Sequence, residues 1–198
     1  MRIVQVGSCA VLLATLVAGG CADSSSMTGS GKMGRVRMTM GGSATQAMTA
    51  SSMQINDGSG RSITAATITV SAVEARNLDG QLVPVTVTLP MDVDLVALIS
   101  GGTVDFPDGT LPVGTYDQIV VVIRSLHVTL SDGTVIDVTP PGGGWTVVVP
   151  TDQFTVVAGQ TTTVALHFRA DGAFQWVDGN LEFDPAFDCD VDHHHGDD

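Results

Sequence analysis

Positive charge is scarce in this chain. Eight Lys and Arg stand against 21 Asp and Glu, a formal net charge of −13 over 198 residues. Nucleic-acid backbones are gripped by basic patches, so this balance argues against a nucleic-acid partner. It also argues against adhesion to anionic lipid by charge, and fits a body held off a membrane by a tether or one that meets cations. Cysteine is nearly absent, with only Cys9, Cys21 and Cys189. Tyrosine occurs once, at Tyr116. The sequence contains no G-x-S-x-G, no H-E-x-x-H, no P-loop, no G-x-G-x-x-G and no internal repeat. Each of those motifs carries a specific chemistry, and without them or a paired-acid pattern the expectation is a protein that is not an enzyme.

What is present begins with an address. Met1-Arg2 is a short basic start, Ile3 to Ala18 is apolar, and Gly19-Gly20 leads to Cys21. Residues 1–20 read as a secretory signal, too short and too early for a spanning helix. The segment L-V-A-G-G-C resembles a bacterial lipobox, with Ala18 where that pattern usually has Leu and Leu16 further back. The resemblance implies lipidation of the Cys21 thiol, cleavage before it and acylation of the new amine. Two or three acyl chains anchor stably where one is marginal, so the lipid bilayer is the expected partner. The alternative is an ordinary cleaved signal. Ala22 follows Cys21 where an Asp would stand for inner-membrane retention, which points to the outer membrane of a bacterial cell envelope. In the mature chain seven basic side chains face 21 acidic ones, a balance of −14, and Cys189 is left without a disulfide partner. Residues 21–33 read as a flexible Ser/Gly tether.

The body, residues 34–187, reads as strands. Its centre is Leu111–Leu130. Pro112 and Gly114 are turn residues, and Ile119 to Ile123 is an unbroken β-branched run, which suits a strand covered on both faces. Beyond Arg124 the pattern becomes alternating, with Leu126, Val128 and Leu130 against Ser125, His127 and Thr129, so one face turns to solvent. Ser131-Asp132-Gly133 predicts a hairpin into Thr134–Val138. Further strands are expected at Val36–Met40, Ile63–Ala75, Leu82–Leu89, Trp145–Val149, Phe154–Val157 and Thr161–Arg169, with Pro84 suited to an edge. Met91–Ser100 is the one helix-tolerant stretch, and Thr103–Thr110 reads as a loop. Tyr116, just after a turn, fits a tyrosine corner. About a dozen inward Val, Ile, Leu and Phe at roughly 1.5–3 kcal/mol each suffice for one core. Many short strands with turn signals between them predict a single antiparallel all-β domain, a sandwich or a barrel.

Candidate chemistry gathers in residues 188–198. Asp188, Cys189, Asp190, Asp192, His193, His194 and His195 combine thiolate, imidazole and carboxylate donors suited to Zn²⁺, Cu²⁺ or Ni²⁺. The same residues also read as a solvated acidic tail, frayed like most termini. Asp188, Asp190 and Asp192 echo the start of a calcium loop, but His193 stands where that loop needs Gly. Met27, Met33, Met38, Met40, Met48 and Met53 could bind Cu(I), yet Met38 and Met40 alternate as core side chains do. His127 and His167 share parity with polar residues and read as solvent-facing. Asp92, Asp94, Asp105 and Asp108 read as turn formers.

Four segments stand in one order: D-V-D-L-V-A-L (92–98), T-L-P-V-G-T-Y-D-Q-I (110–119), F-T-V-V-A-G-Q-T-T-T-V-A-L-H-F (154–168) and L-E-F-D-P (181–185). Together they resemble a bacterial lipoprotein-borne β-sandwich domain of unknown function, over Gly34 to Pro185. The resemblance implies an immunoglobulin-like or transthyretin-like Greek-key sandwich and no known activity or cofactor. Where that family often shows a T-D-A-P-like turn, this chain has Thr39-Met40-Gly41-Gly42. The expected function is a membrane-anchored envelope lipoprotein with a non-catalytic binding or structural module. The alternative is metal binding or delivery through the Asp/Cys/His tail.

Overall fold

The computed structural model describes residues 31–43, 60–140 and 142–192. The signal, Cys21, nearly all of the tether and His193, His194 and His195 lie outside these residues. The compact unit that holds the fold begins at Gly31. Among the described residues thirteen strands and one short helix form. In chain order they are β1 (Met33–Gly42), β2 (Ile63–Asn77), β3 (Leu82–Pro84), β4 (Met91–Asp94), α1 (Leu95–Ile99), β5 (Thr103–Asp105), β6 (Gly109–Pro112), β7 (Gly114–Leu130), β8 (Val135–Val138), β9 (Trp145–Val156), β10 (Thr161–Arg169), β11 (Phe174–Val177), β12 (Asn180–Phe183) and β13 (Ala186–Asp192).

The fold is an all-β sandwich. One sheet runs β13-β10-β1-β5, with β6 also on β1; the other runs β3-β2-β7-β8, with β4 on β2 and β9 on β7. Side chains alternate across each strand, so every second residue points into the space between the sheets. Val36, Met38 and Met40 of β1 and Val164, Leu166 and Phe168 of β10 meet Ile68, Val70 and Val73 of β2 and Ile119, Val121 and Ile123 of β7 in one apolar cluster. Met38 and Met40 are completely buried core side chains, while Met27, Met48 and Met53 lie outside the described residues.

Strand β7 is organised as its sequence predicts. Ile119, Val120 and Val121 are all buried, although successive residues face opposite sides. Beyond exposed Arg124, buried Leu126, Val128 and Leu130 alternate with more open residues. The strand lies between β2 on one side and β9 and β8 on the other, a central position in its sheet. Ser131-Asp132-Gly133 closes the hairpin: Gly133 takes φ 83°, and its N–H donates to Leu130 O at 2.9 Å. Pro84 ends the edge strand β3, where its missing N–H is harmless.

Four elements differ from the sequence expectation, each because of a partner far along the chain. The pairing of β1 with β10 is parallel, a departure from an all-antiparallel pattern. Thr103–Thr110 is not a plain loop: β5 and β6 both pair with β1 and occupy its free edge. Trp145–Val156 is one strand, kept continuous by a bulge opposite the Tyr116–Gln118 step of β7. The alternation through Leu89 holds, but the ladder stops at Pro84. Val85 N then donates to Val73 O, and Thr86 exchanges two hydrogen bonds with Thr110, so this segment stitches the two sheets together. The helix-tolerant stretch Met91–Ser100, read as a short strand or a single helical turn, holds both. Asp94 Oδ1 accepts from Val96 N at 2.9 Å and Ala97 N at 3.1 Å, which caps α1.

The hairpin β11–β12 lays an aromatic cluster on the core. Trp145 meets Phe183 edge-on at 5.2 Å, Phe174 lies 5.2 Å from Phe183, and the Arg61 guanidinium sits 5.3 Å from the Trp176 ring centroid.

Candidate functional site

The residues 188–192, expected in a tail, form most of β13. This strand pairs antiparallel with β10, placing Asp188 opposite His167 and Asp190 opposite Ala165. Strand alternation splits the expected donor set. Asp188, Asp190 and Asp192 share an exposed face, while Cys189 and Val191 pack against the core. Two of the three carboxylates already face an imidazole or a guanidinium on β10. His167 Nε2 lies 3.2 Å from Asp190 Oδ2, and Arg169 Nη1 lies 3.9 Å from Asp188 Oδ1. Among the described residues no group of three or more His, Cys, Asp or Glu is arranged to hold a metal ion.

Burial pushes the Cys189 thiol up to about 12, and the neighbouring Asp190 carboxylate adds to the shift. Metal ligation and nucleophilic attack both need the thiolate, which this environment suppresses. In a Cys21→Ala chain at pH 8, iodoacetamide should therefore alkylate Cys189 about tenfold or more slowly in the native state than in guanidinium. Equal rates would show a thiol open to solvent.

The other acidic candidates serve the fold. Asp92 Oδ1 accepts from Thr69 Oγ1 at 2.7 Å, Asp94 caps α1, and Asp108 lies 3.5 Å from Arg37 Nε. His127 Nδ1 contacts Asp137 across the β7–β8 pair, with both side chains exposed as their parity predicts.

Tyr116 is buried at one end of the sandwich. The Tyr116 hydroxyl donates to Pro112 O at 2.8 Å, and its ring stacks on Phe154 at 5.5 Å. This is the tyrosine corner that the turn before Tyr116 predicts. Burial raises the phenol above its ordinary pKa. A shallow cavity of about 360 Å³ opens beside it, lined by Asn77, Leu78, Val83, Val113 and Tyr116 among others. Nearby, Arg76 Nε and Nη2 donate to the two oxygens of Asp117 at 2.9 and 2.8 Å. This fork raises the Arg76 pKa and holds the Asp117 carboxyl below the usual carboxylate range. No local pattern marks this pair, because 41 residues separate its members and only the β2–β7 register joins them.

A family model described as Domain of unknown function (DUF4382) matches residues 49–184. The chain belongs to this family. The DUF4382 match leaves out β1 and β13, although β1 pairs with three strands and β13 closes the edge of the same sheet. It also begins later than the resemblance read from Gly34. A search of curated proteins found no match. Among solved structures, a leucine-rich repeat protein from Bacteroides thetaiotaomicron is similar at 13% identity and a TM-score of 0.23. The alignment covers 68% of this chain and only 13% of that one, and a likeness this weak carries no argument.

Proposed function

We propose that this DUF4382 chain is an envelope lipoprotein, anchored through Cys21 in the bacterial outer membrane, whose sandwich is a non-catalytic binding or structural module. The observation that carries the reading is the join between signal and fold. Residues 22–30 alone separate Cys21 from Gly31, where the compact unit begins. A lipobox-like Cys at that distance needs no further domain to present the sandwich at a bilayer. The side chains that could do acid–base or nucleophilic work support the reading in another way. Cys189 faces the core, and Asp92, Asp94, Asp108 and Asp117 hold hydrogen bonds or ion pairs within the fold. Labelled palmitate should enter the native chain and not the Cys21→Ala chain, and that variant should leave the membrane fraction. A Cys21→Ala chain as membrane-bound as the native one would sink the anchor.

The second reading is capture of a transition metal at the C-terminal end. It draws on three carboxylates sharing one exposed face next to His167, at the point where the chain continues into His193, His194 and His195. Calorimetry with Zn²⁺ and Cu²⁺ decides it. Removal of residues 193–198 should abolish binding, while Cys189→Ser should leave it unchanged. Equal heats from full and truncated chains would rule out the tail.

A further inference from the structure

Among the described residues eight large apolar side chains stand exposed, and five of them gather at one end of the sandwich. They are Met33, Leu78, Leu82, Val113 and Val157. Strand register places them together. Met33 pairs with Pro112, next to Val113. Arg76 pairs with Leu82, and Asn77, next to Leu78, pairs with Tyr116. Gly114 pairs with Val156, next to Val157. The other three, Val135, Val148 and Val177, belong to three separate strands. Contiguous apolar surface on a folded protein marks a contact site, whereas single exposed residues do not.

This is also the end where the chain enters the fold. Val113 N donates to Lys32 O at 2.9 Å, so the apolar tip touches the first described residues directly. Ten steps of chain lead from Cys21 to Gly31, a reach of at most roughly 33–36 Å when fully extended. The opposite end is further than that, since the 17 residues of β7 span about 55 Å. The only Lys of the chain, Lys32, stands here, and Asp192, the last of the Asp188–Asp192 row, pairs with Thr163 two residues along from the Arg35–Thr161 pair. The tip is also preformed. The Tyr116 hydroxyl holds the Pro112 carbonyl, so Val113 projects from a fixed corner and little ordering is needed on contact. Asp79 lies on the adjoining turn.

We propose that this end docks on the lipid bilayer, with Leu78 and Val113 entering the boundary between headgroups and acyl chains and Met33, Leu82 and Val157 around them. The docking rests on the anchor reading for its source of bilayer, and it adds an orientation. The sandwich stands on its Tyr116 end and presents the Ser131–Gly133 hairpin and α1 away from the membrane.

The test uses the acylated chain carrying Cys189→Ser and one of Leu78→Cys, Val113→Cys, Val135→Cys or Val177→Cys, each labelled with a small fluorophore. The chain is placed in vesicles of phosphatidylethanolamine and phosphatidylglycerol with brominated acyl chains. All four sites are exposed, and far-UV circular dichroism checks that the fold is kept. Quenching at 78 and 113 should exceed that at 135 and 177 by about threefold or more. Equal quenching at all four sites overturns the docking; the end then faces water or a protein partner. Palmitate incorporation into the same preparations reads the anchor separately. Acylated chain without selective quenching means that docking fails and the anchor stands. If no acylation occurs, the anchor fails, and the same vesicles mixed with the unacylated chain decide docking alone. Selective quenching there upholds it, and none overturns it.

Discussion

A Phe154→Ala chain should lose about 3–5 kcal/mol of stability, measured as a lowered urea midpoint at an unchanged slope. Phe154 is fully buried, and its ring is the surface on which Tyr116 stacks. Truncation removes the transfer energy of the ring and leaves a cavity that strand backbones on both sides cannot close. It also frees one face of Tyr116, whose hydroxyl holds the Pro112 corner. Domains of this kind are stable by only about 5–15 kcal/mol, so the change removes a large fraction of the total. A loss below about 1 kcal/mol would mean that the corner is held mainly by its hydrogen bond, or that the site collapses onto the void.

Gly34→Val should cost about 1–3 kcal/mol or more, through overpacking and not through backbone conformation. A Cβ built at Gly34 lies 2.5 Å from Val156 Cγ1 and 2.6 Å from Val157 O. The valine side chain could turn away. The carbonyl is backbone at the end of β9 and cannot move without disturbing the pairing of Gly114 with Val156. The first residues of β1 would therefore be pushed off β6, where Gly34 is paired with Leu111. Hydrogen exchange should show the amides of Met33 to Val36 losing protection while those of β2 and the middle of β7 keep theirs. Uniform loss across both sheets, or no loss, would show that the close approach is not what requires glycine. If the end at Met33 and Val113 meets the bilayer, the same substitution should also weaken selective quenching at Val113.

Local patterns revealed strands and turns, and they did so where the partner was close in sequence. The β7–β8 hairpin is one case, with a three-residue turn and period-two alternation on both sides. The Tyr116 corner is another, since its hydroxyl reaches a carbonyl four residues back. Pro84 is a third, because a missing N–H bars a central position whatever the neighbours are. Patterns failed where the partner was remote. Strands β5 and β6 are short and carry turn residues between them, Pro107 and Asp108, so nothing local distinguishes them from a loop. Only the unpaired edge of β1 makes them strands. The site was legible in part. The residue types of the 188–192 segment were visible, but not the alternation that turns Cys189 inward, because a frayed end and an edge strand share the same letters until β10 is there to pair.

The sequence by itself determined an acidic all-β chain with a lipobox-like Cys21, a β-branched central strand and a tyrosine corner, because composition, period and short-range turns are properties of neighbouring residues. The tertiary structure alone decided the parallel pairing of β1 with β10, the Arg76–Asp117 fork and the inward turn of Cys189. It also gathered Met33, Leu78, Leu82, Val113 and Val157 at the end where the chain enters. These five lie as much as 124 positions apart, from 33 to 157. Strand register brings them together, and register is set by the whole buried face of each sheet.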